Sequence, residues 1–267
     1  MTAPLFFGGE ISQKYEDYLG PFLFEPYAID LAARLNLTGV SNILELACGS
    51  GRLTKHIAAI LPPGADFTAT DLNTDMISIA KSKVTSDRVI WATADMLDLP
   101  CENESFDLVV CQFGIMLVPD QQKALSEIFR VLKTGGKIVF STWSDVNYNR
   151  LWAIADTVMI AVLGKSMIGS DPGPFAMGDE NIVLARLKGV GFGKSTATLV
   201  KFTGETESAA KAAHGFIYGL PVGLYILKEA PDLMPEVLKI LEEKLQSELG
   251  DQPLKAPMAA LVFESTK

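Results

Sequence analysis

Between residues 42 and 142 the chain alternates short apolar and β-branched runs with longer segments whose apolar residues recur at helical spacing. The short runs are "NILEL" (42–46), "DFTATD" (66–71), "RVIWATAD" (88–95), "FDLVVCQF" (106–113) and "GKIVFSTW" (136–143). Between them, "GRLTKHIAAIL" (51–61) and "QKALSEIFRVLK" (122–133) carry amphipathic helical patterns, and Gly135-Gly136 after the second reads as a C-cap. This strand–helix alternation predicts a parallel sheet with helices on both faces.

The flanks follow a different pattern. Residues 1–38 carry Phe6, Phe7, Tyr15, Tyr18, Phe22, Phe24 and Tyr27, then a helical "EPYAIDLAARLN", so this segment covers an apolar surface. A helix, "NYNRLWAIADTVMIAVLG", leads into a Gly/Pro-rich loop, "GSDPGPFAMGD", which is either a lid or a surface connection. Two more β-runs, "TATLVKFTG" (196–204) and "APMAALVFES" (256–265), bracket a hydrophobic helical stretch (207–228) and an amphipathic helix, "DLMPEVLKILEEKLQSEL" (232–249), with Asp232 as its N-cap.

Composition narrows the class. At 267 residues the chain suits one domain with insertions. Its net charge of −9, from 23 Lys+Arg against 32 Asp+Glu, and its lack of a basic cluster argue against nucleic acid as a partner. The N-terminal stretch has no basic region followed by an apolar one, and no run of about 18 apolar residues follows, so a cytoplasmic protein without membrane insertion is expected. Cys48, Cys101 and Cys111 are odd in number and lack metal-site spacing, so they read as small apolar residues and no metal is expected.

The chemistry starts at "ILELACGSGRLTKHI" (43–57). Ala47, Gly49, Ser50 and Gly51 let backbone approach a ligand at the carboxyl end of the first strand. A dinucleotide fingerprint fits in part: aligned on Gly49 and Gly51, its third small position is Thr54. Carboxylates decide between ligands. Glu45 ends the first run, Asp71 the second, 20 residues past Gly51, and Asp95 the third. An acid at Asp71 suits a ribose diol, and Asp95 suits an amino group such as adenine N6. Glu45 beside the loop would repel a pyrophosphate and suits a cationic centre. The implied ligand is a nucleoside carrying positive charge.

S-adenosylmethionine has those parts, and at this point the chain resembles the class I methyltransferases, in the small-molecule branch that includes the ubiquinone and menaquinone methyltransferases. The resemblance runs over about residues 15–143 through "LELACGSG", "ATDLNTDMI", "WATADMLDLP", "SFDLVVCQFGIMLVPD" and "LKTGGKIVFSTW", in family order and spacing. It implies a Rossmann-like doubly wound α/β fold with a seven-stranded, mostly parallel sheet in the order 3-2-1-4-5-7-6, the last strand antiparallel. It also implies one domain over 1–267: an N-terminal helical cap (1–38), a cofactor-binding core (39–143) and a C-terminal part with substrate-facing insertions (144–267). For the site it implies motif I at Glu45, Ala47, Gly49 and Gly51; Asp71 on the ribose, with Leu72 and Met76 flanking the adenine; Asp95 and Met96 at the adenine edge; and Gln112 and Phe113 near the methionine portion.

Other residues leave alternatives open. Tyr15, Tyr18 and Phe22 either close over the methionine end, Tyr18 then joining the cofactor site, or belong to the core. Asp71, Asn73 and Asp75 mimic the start of a calcium loop, but Met76 replaces its glycine and Ser82 its terminal acid, so Asn73 reads as a helix N-cap. Asp107 reads as a structural acceptor at a strand entrance, and His56 and His214 as structural helical residues. The expected reaction is methyl transfer to an O-, C- or S-nucleophile of a small molecule in an apolar cleft, with S-adenosylhomocysteine as product. In-line displacement requires placement more than acid or base, so no catalytic residue is nominated. Oligomeric state is left open. Rival readings are an NAD-dependent oxidoreductase and a catalytically silent S-adenosylmethionine binder.

Overall fold

The computed structural model describes residues 9–166, 168 and 173–267. Phe6, Phe7 and positions 169–172 of the Gly/Pro-rich loop lie outside the described residues. Seven strands, β1 (Asn42–Leu46), β2 (Asp66–Asp71), β3 (Val89–Thr93), β4 (Phe106–Gln112), β5 (Leu132–Trp143), β6 (Ser195–Thr206) and β7 (Leu254–Thr266), form one sheet in the order 3-2-1-4-5-7-6. The pairs β1–β2, β1–β4, β2–β3 and β4–β5 are parallel, whereas β7 runs antiparallel to both β5 and β6. The fold is the Rossmann-like doubly wound arrangement that the alternation predicts. Its strand order reverses between β1 and β4, so the loops leaving these neighbours diverge and open a crevice at their carboxyl ends.

Helices α1 (Glu10–Lys14) and α2 (Glu25–Arg34) are joined by a π-helical stretch, Tyr15–Phe24, whose pitch shows in the bond from the Glu25 N–H to the Gly20 carbonyl. Then come α3 (Arg52–Ile60), α4 (Thr74–Lys83), α5 (Gln121–Val131), α6 (Arg150–Leu163), α7 (Glu180–Val190), α8 (Ala209–Tyr218), α9 (Pro221–Glu229) and α10 (Met234–Leu249). The central strands are hydrophobic on both faces: Ile43 and Leu44 of β1, Val109, Val110 and Cys111 of β4, and Phe140 of β5 are all fully buried. Such double burial requires layers on both sides of the sheet.

Several local expectations meet stronger forces. The α5 helix ends at Val131, and Gly135-Gly136 do not cap it: Leu132 already pairs with Phe106, so the chain enters β5 first, and Gly135 takes its positive φ of 80° at an irregularity inside the strand. Asp232 does not cap α10. It lies in a short 3-10 turn, Pro231–Leu233, and the helix starts at Met234, where Pro235 fits a first turn that needs no N–H from it. The third run stops at Thr93, so Asp95 stands beyond the strand, in a tight turn bridged to Asp98. The 207–228 stretch divides into α8 and α9 at Gly219-Leu220-Pro221. Asn73 does cap α4, accepting the Asp75 N–H at 2.8 Å. Asp107 accepts the Ser41 and Asn42 N–H groups at 3.0 and 2.8 Å and pairs with Lys133, a structural arrangement. The three cysteines are free.

Candidate active site

The loop after β1 is held in an unusual backbone shape. Ala47, Gly49 and Gly51 have φ values of 51°, 54° and 80°, in the left-handed region that L side chains rarely occupy. The two glycines serve different ends. At Gly51 a Cβ would stand 3.0 Å from the Ala80 Cβ, so its missing side chain lets α4 pack closely. At Gly49 a Cβ would meet nothing within 4 Å, so its missing side chain faces open space. Ala47 presses on the neighbouring β4 loop, where a Cβ on Gly114 would lie 2.3 Å from the Ala47 Cβ. Phe113, just before Gly114, also has a positive φ, 55°. Strain on both sides of the crevice is the pattern of a ligand site.

Hydrogen bonds from β2 hold this shape. Cys48 donates its N–H to the Thr70 carbonyl, the Thr70 hydroxyl donates to the Glu45 carbonyl, and Asp71 Oδ2 accepts the Gly49 N–H at 2.8 Å. Asp71 Oδ1 accepts the Asn73 N–H at 2.8 Å. Burial raises the Asp71 pKa, against the pull of the N–H groups of Asn73, Gly49 and Leu72.

Around the open side of Gly49 lies a small cavity, lined by Glu45, Ala47, Cys48, Ser50, Arg52 and Gln112 and walled by Tyr15, Phe24 and Phe113. Glu45 is 1% exposed, and its Oε2 is buried without a hydrogen-bond partner among the described residues. Burial raises its pKa to about 8; the nearby Thr54 hydroxyl lowers it without closing a bond, and the Asp71 charge raises it further. An unpartnered buried carboxyl costs free energy unless a donor meets it, so this oxygen marks a place for a ligand's cationic or N–H group.

The cavity continues into aromatic packing. Tyr15 and Phe24 have ring centroids 4.9 Å apart, Phe24 meets Phe113 edge-on at 5.7 Å, and Phe113 stacks on Trp143 at 4.2 Å. Gln112 faces the same space and is anchored by its bond to the Phe24 carbonyl at 2.9 Å.

Of the residues read from sequence, Glu45, Ala47, Gly49, Gln112 and Phe113 line this one cavity, and Asp71 is bonded to its loop. Met76 and Met96 are buried nearby in sequence to the loops that bear on it, and Leu72 is 59% exposed. Asp95 is exposed, and its Oδ1 accepts the Leu97 N–H of its own turn. Tyr18 points elsewhere, packing against His214 of α8 with centroids 5.1 Å apart, while Phe22 is buried beside Gly204 of β6. Tyr15, three residues before Tyr18, is the tyrosine at the cavity. His56 is bonded to Glu25 at 2.9 Å.

Sequence reasoning missed Arg52, Glu16 and Glu25. Arg52, buried at the start of α3, lines the cavity and pairs with Glu16 at 2.6 Å and Glu25 at 2.9 Å. A signal was present: a cation in the first turn of a helix opposes the helix dipole and calls for carboxylates nearby. Among the described residues no group of His, Cys, Asp and Glu is arranged to hold a metal, and no helix is long and apolar enough to cross a membrane.

The chain is similar in sequence and fold to known proteins. Residues 44–140 match the family described as "Methyltransferase domain". A demethylmenaquinone methyltransferase of Lactiplantibacillus plantarum is 35% identical over 111 residues, 40% of this chain and 47% of the relative. That of Staphylococcus aureus is 30% identical over 162 residues, 58% of this chain and 67% of the relative. The chain thus spans about half of the first relative's length and two thirds of the second's. Among solved structures, the Bacillus subtilis YcgJ protein superposes with a TM-score of 0.58 at 16% identity, covering 91% of this chain and 98% of that one. Phosphoethanolamine N-methyltransferase 2 of Haemonchus contortus, in complex with phosphomonomethylethanolamine and S-adenosylhomocysteine, gives a TM-score of 0.58 at 16% identity over 96% of this chain and 57% of its own. At such identities these two structures speak to the fold.

Proposed function

The chain belongs to the class I S-adenosylmethionine-dependent small-molecule methyltransferases, and from that premise we propose that the cavity at the β1–β4 crevice binds S-adenosylmethionine and passes its methyl group to a small apolar or aromatic acceptor. The observation that carries this reading is the unpartnered Glu45 carboxyl beside the open face of Gly49. These residues fit the cofactor: a buried acid for its ammonium or sulfonium end, a side-chain-free loop for close backbone approach, and Asp71 at the loop for the ribose hydroxyls. Gln112 and Phe113 stand where the methionine portion would lie, with Met76, Met96, Leu72 and Asp95 toward the adenine.

When bound, S-adenosylmethionine supplies a methyl carbon activated by its sulfonium, open to in-line attack by an oxygen, carbon or sulfur nucleophile. The protein's task is then positioning in a dry space. Tyr15, Phe24 and Phe113 exclude water and offer ring faces to a cation. The same rings favour a flat, apolar acceptor, and the names of the two curated relatives lead us to place quinol-like aromatics first among candidates.

Two measurements test the reading. In a thermal-shift titration, S-adenosylhomocysteine should raise the melting temperature and NADH should not; the reverse would favour an oxidoreductase. Transfer of a labelled methyl group to a panel of quinols, phenols and thiols should identify the acceptor class, and cofactor binding with no turnover on any of them would favour a silent binder.

A further inference from the structure

Glu45 is 1% exposed and shares a small cavity with Tyr15 and Phe24, too small in this arrangement to seat a cofactor-sized molecule against it. Something must move, and the charges around the wall indicate what holds it. The wall is the π-helical stretch Tyr15–Phe24, whose two end residues are the rings at the cavity. Beside each ring in sequence stands a glutamate, Glu16 after Tyr15 and Glu25 after Phe24.

One guanidinium grips both. Arg52 Nη2 donates to Glu16 Oε1 at 2.6 Å and to the Glu16 carbonyl at 3.0 Å, while Nη1 donates to Glu25 Oε2 at 2.9 Å. The stretch is shaped to admit it: a Cβ on Gly20, midway along, would stand 2.0 Å from Arg52 Nη2. The grip is tied to the cofactor loop as well, because the Ser50 hydroxyl donates to Glu16 Oε2 at 2.5 Å and Lys83 both pairs with Glu16 and reaches the Ser50 carbonyl. On the other side Lys55 and His56 also meet Glu25, at 2.6 and 2.9 Å. Side chains of Arg52 and Glu16 are 9% and 11% exposed, so this pair is screened far less than a surface pair. A planar guanidinium holds five donors in a rigid fork, so it fixes two carboxylates at set positions in a way that a freely rotating ammonium does not.

We propose that Arg52 is a positioning residue that clamps the Tyr15–Phe24 wall through Glu16 and Glu25, making the wall a gate through which the cofactor enters and its product leaves. The inference rests on the reading that the cavity takes S-adenosylmethionine. Opening the gate breaks the Arg52 contacts at one or both ends, and closing it seats the two rings over Glu45.

The test is stopped-flow kinetics of S-adenosylhomocysteine with the full chain, for the wild type, Arg52→Lys and the Glu16→Gln/Glu25→Gln double variant, at low and high salt. Loosening the clamp should raise the dissociation rate roughly tenfold or more, the loss of one or more charge-assisted hydrogen bonds. The association rate should rise with it, so the equilibrium constant changes less than either rate. Salt should speed release from the wild type, because ions screen these charges once the opening wall bares them, and have little effect on the double variant, a pattern that general loosening of the fold does not produce. Should Arg52→Lys fail to fold, Lys83→Met, which removes another Glu16 partner, carries the same expectation. Folded variants with dissociation rates within twofold of the wild type, or the same salt response in all, would overturn the gate while leaving cofactor binding intact. Failure of the wild type to bind S-adenosylhomocysteine would overturn the cofactor reading itself, and the gate with it.

Discussion

Asp71 accepts the Gly49 N–H at 2.8 Å, so an acid at the end of one strand sets the backbone of the loop that leaves its neighbour. The bond spans 22 residues of sequence and places the charge of Asp71 close enough to raise the Glu45 pKa. Loop shape and site electrostatics therefore depend on the same side chain.

Replacing Asp71 with alanine is expected to weaken S-adenosylhomocysteine binding by about 1.5 to 3 kcal/mol, the contribution of hydrogen bonds to a charged group. Calorimetric titration checks this. An unchanged dissociation constant would remove Asp71 from the site.

The two loop glycines should separate in their effects. Gly49→Val places a side chain in the open space beside Glu45 and should abolish cofactor binding, beyond the loss of stability that its φ of 54° imposes on a β-branched residue. Gly51→Ala brings a Cβ to 3.0 Å from that of Ala80 at a φ of 80°, and should lower the melting temperature instead. Thermal denaturation of both variants with and without S-adenosylhomocysteine distinguishes these outcomes, and normal binding by Gly49→Val would contradict the assignment of the loop.

Glu45 should make the ligand-free protein less stable as the medium becomes alkaline. Its folded pKa, about 8, lies above its ordinary value of 4.5. The stability it contributes is therefore fully present below about pH 4.5 and is lost as the pH rises through 8. Glu45→Gln should flatten that dependence between pH 6 and about 8.5 in denaturant melts, since glutamine keeps the size without the titration. An equally steep decline in the variant would assign it to another group.

The aromatic wall should act on the acceptor more than on the cofactor. Phe24→Ala opens the space between Tyr15 and Phe113. Its expected effect is a rise in the acceptor's KM of about tenfold, the range of losing one aromatic contact, with cofactor affinity moved less. A variant that loses cofactor affinity while acceptor KM is unchanged would reverse these roles.

The fold was legible because its signal is local and repeated: β-branched runs alternate with helical periods, and each carboxylate stands at or just past the end of its run. Glu45 and Asp71 could be placed from those runs alone. Where the sequence reading missed, a distant partner had overridden a local preference. Leu132 joins Phe106 in the sheet before Gly135 can end a helix, and α10 starts at Met234, two residues beyond Asp232. Tyr15 and Tyr18 differ by 3 residues, and the π-helical pitch of that stretch sends one ring to the cavity and the other to His214. The grip of Arg52 on Glu16 and Glu25 spans 36 and 27 residues, and no periodicity reports such a pairing.

The most direct test of the central assignment is a crystal structure of the protein with S-adenosylhomocysteine bound. The expected result places the ligand's amino nitrogen within hydrogen-bond reach of Glu45, about 3 Å, and its ribose hydroxyls on Asp71. A ligand seated elsewhere, or bound with Glu45 Oε2 still unpartnered, would contradict it.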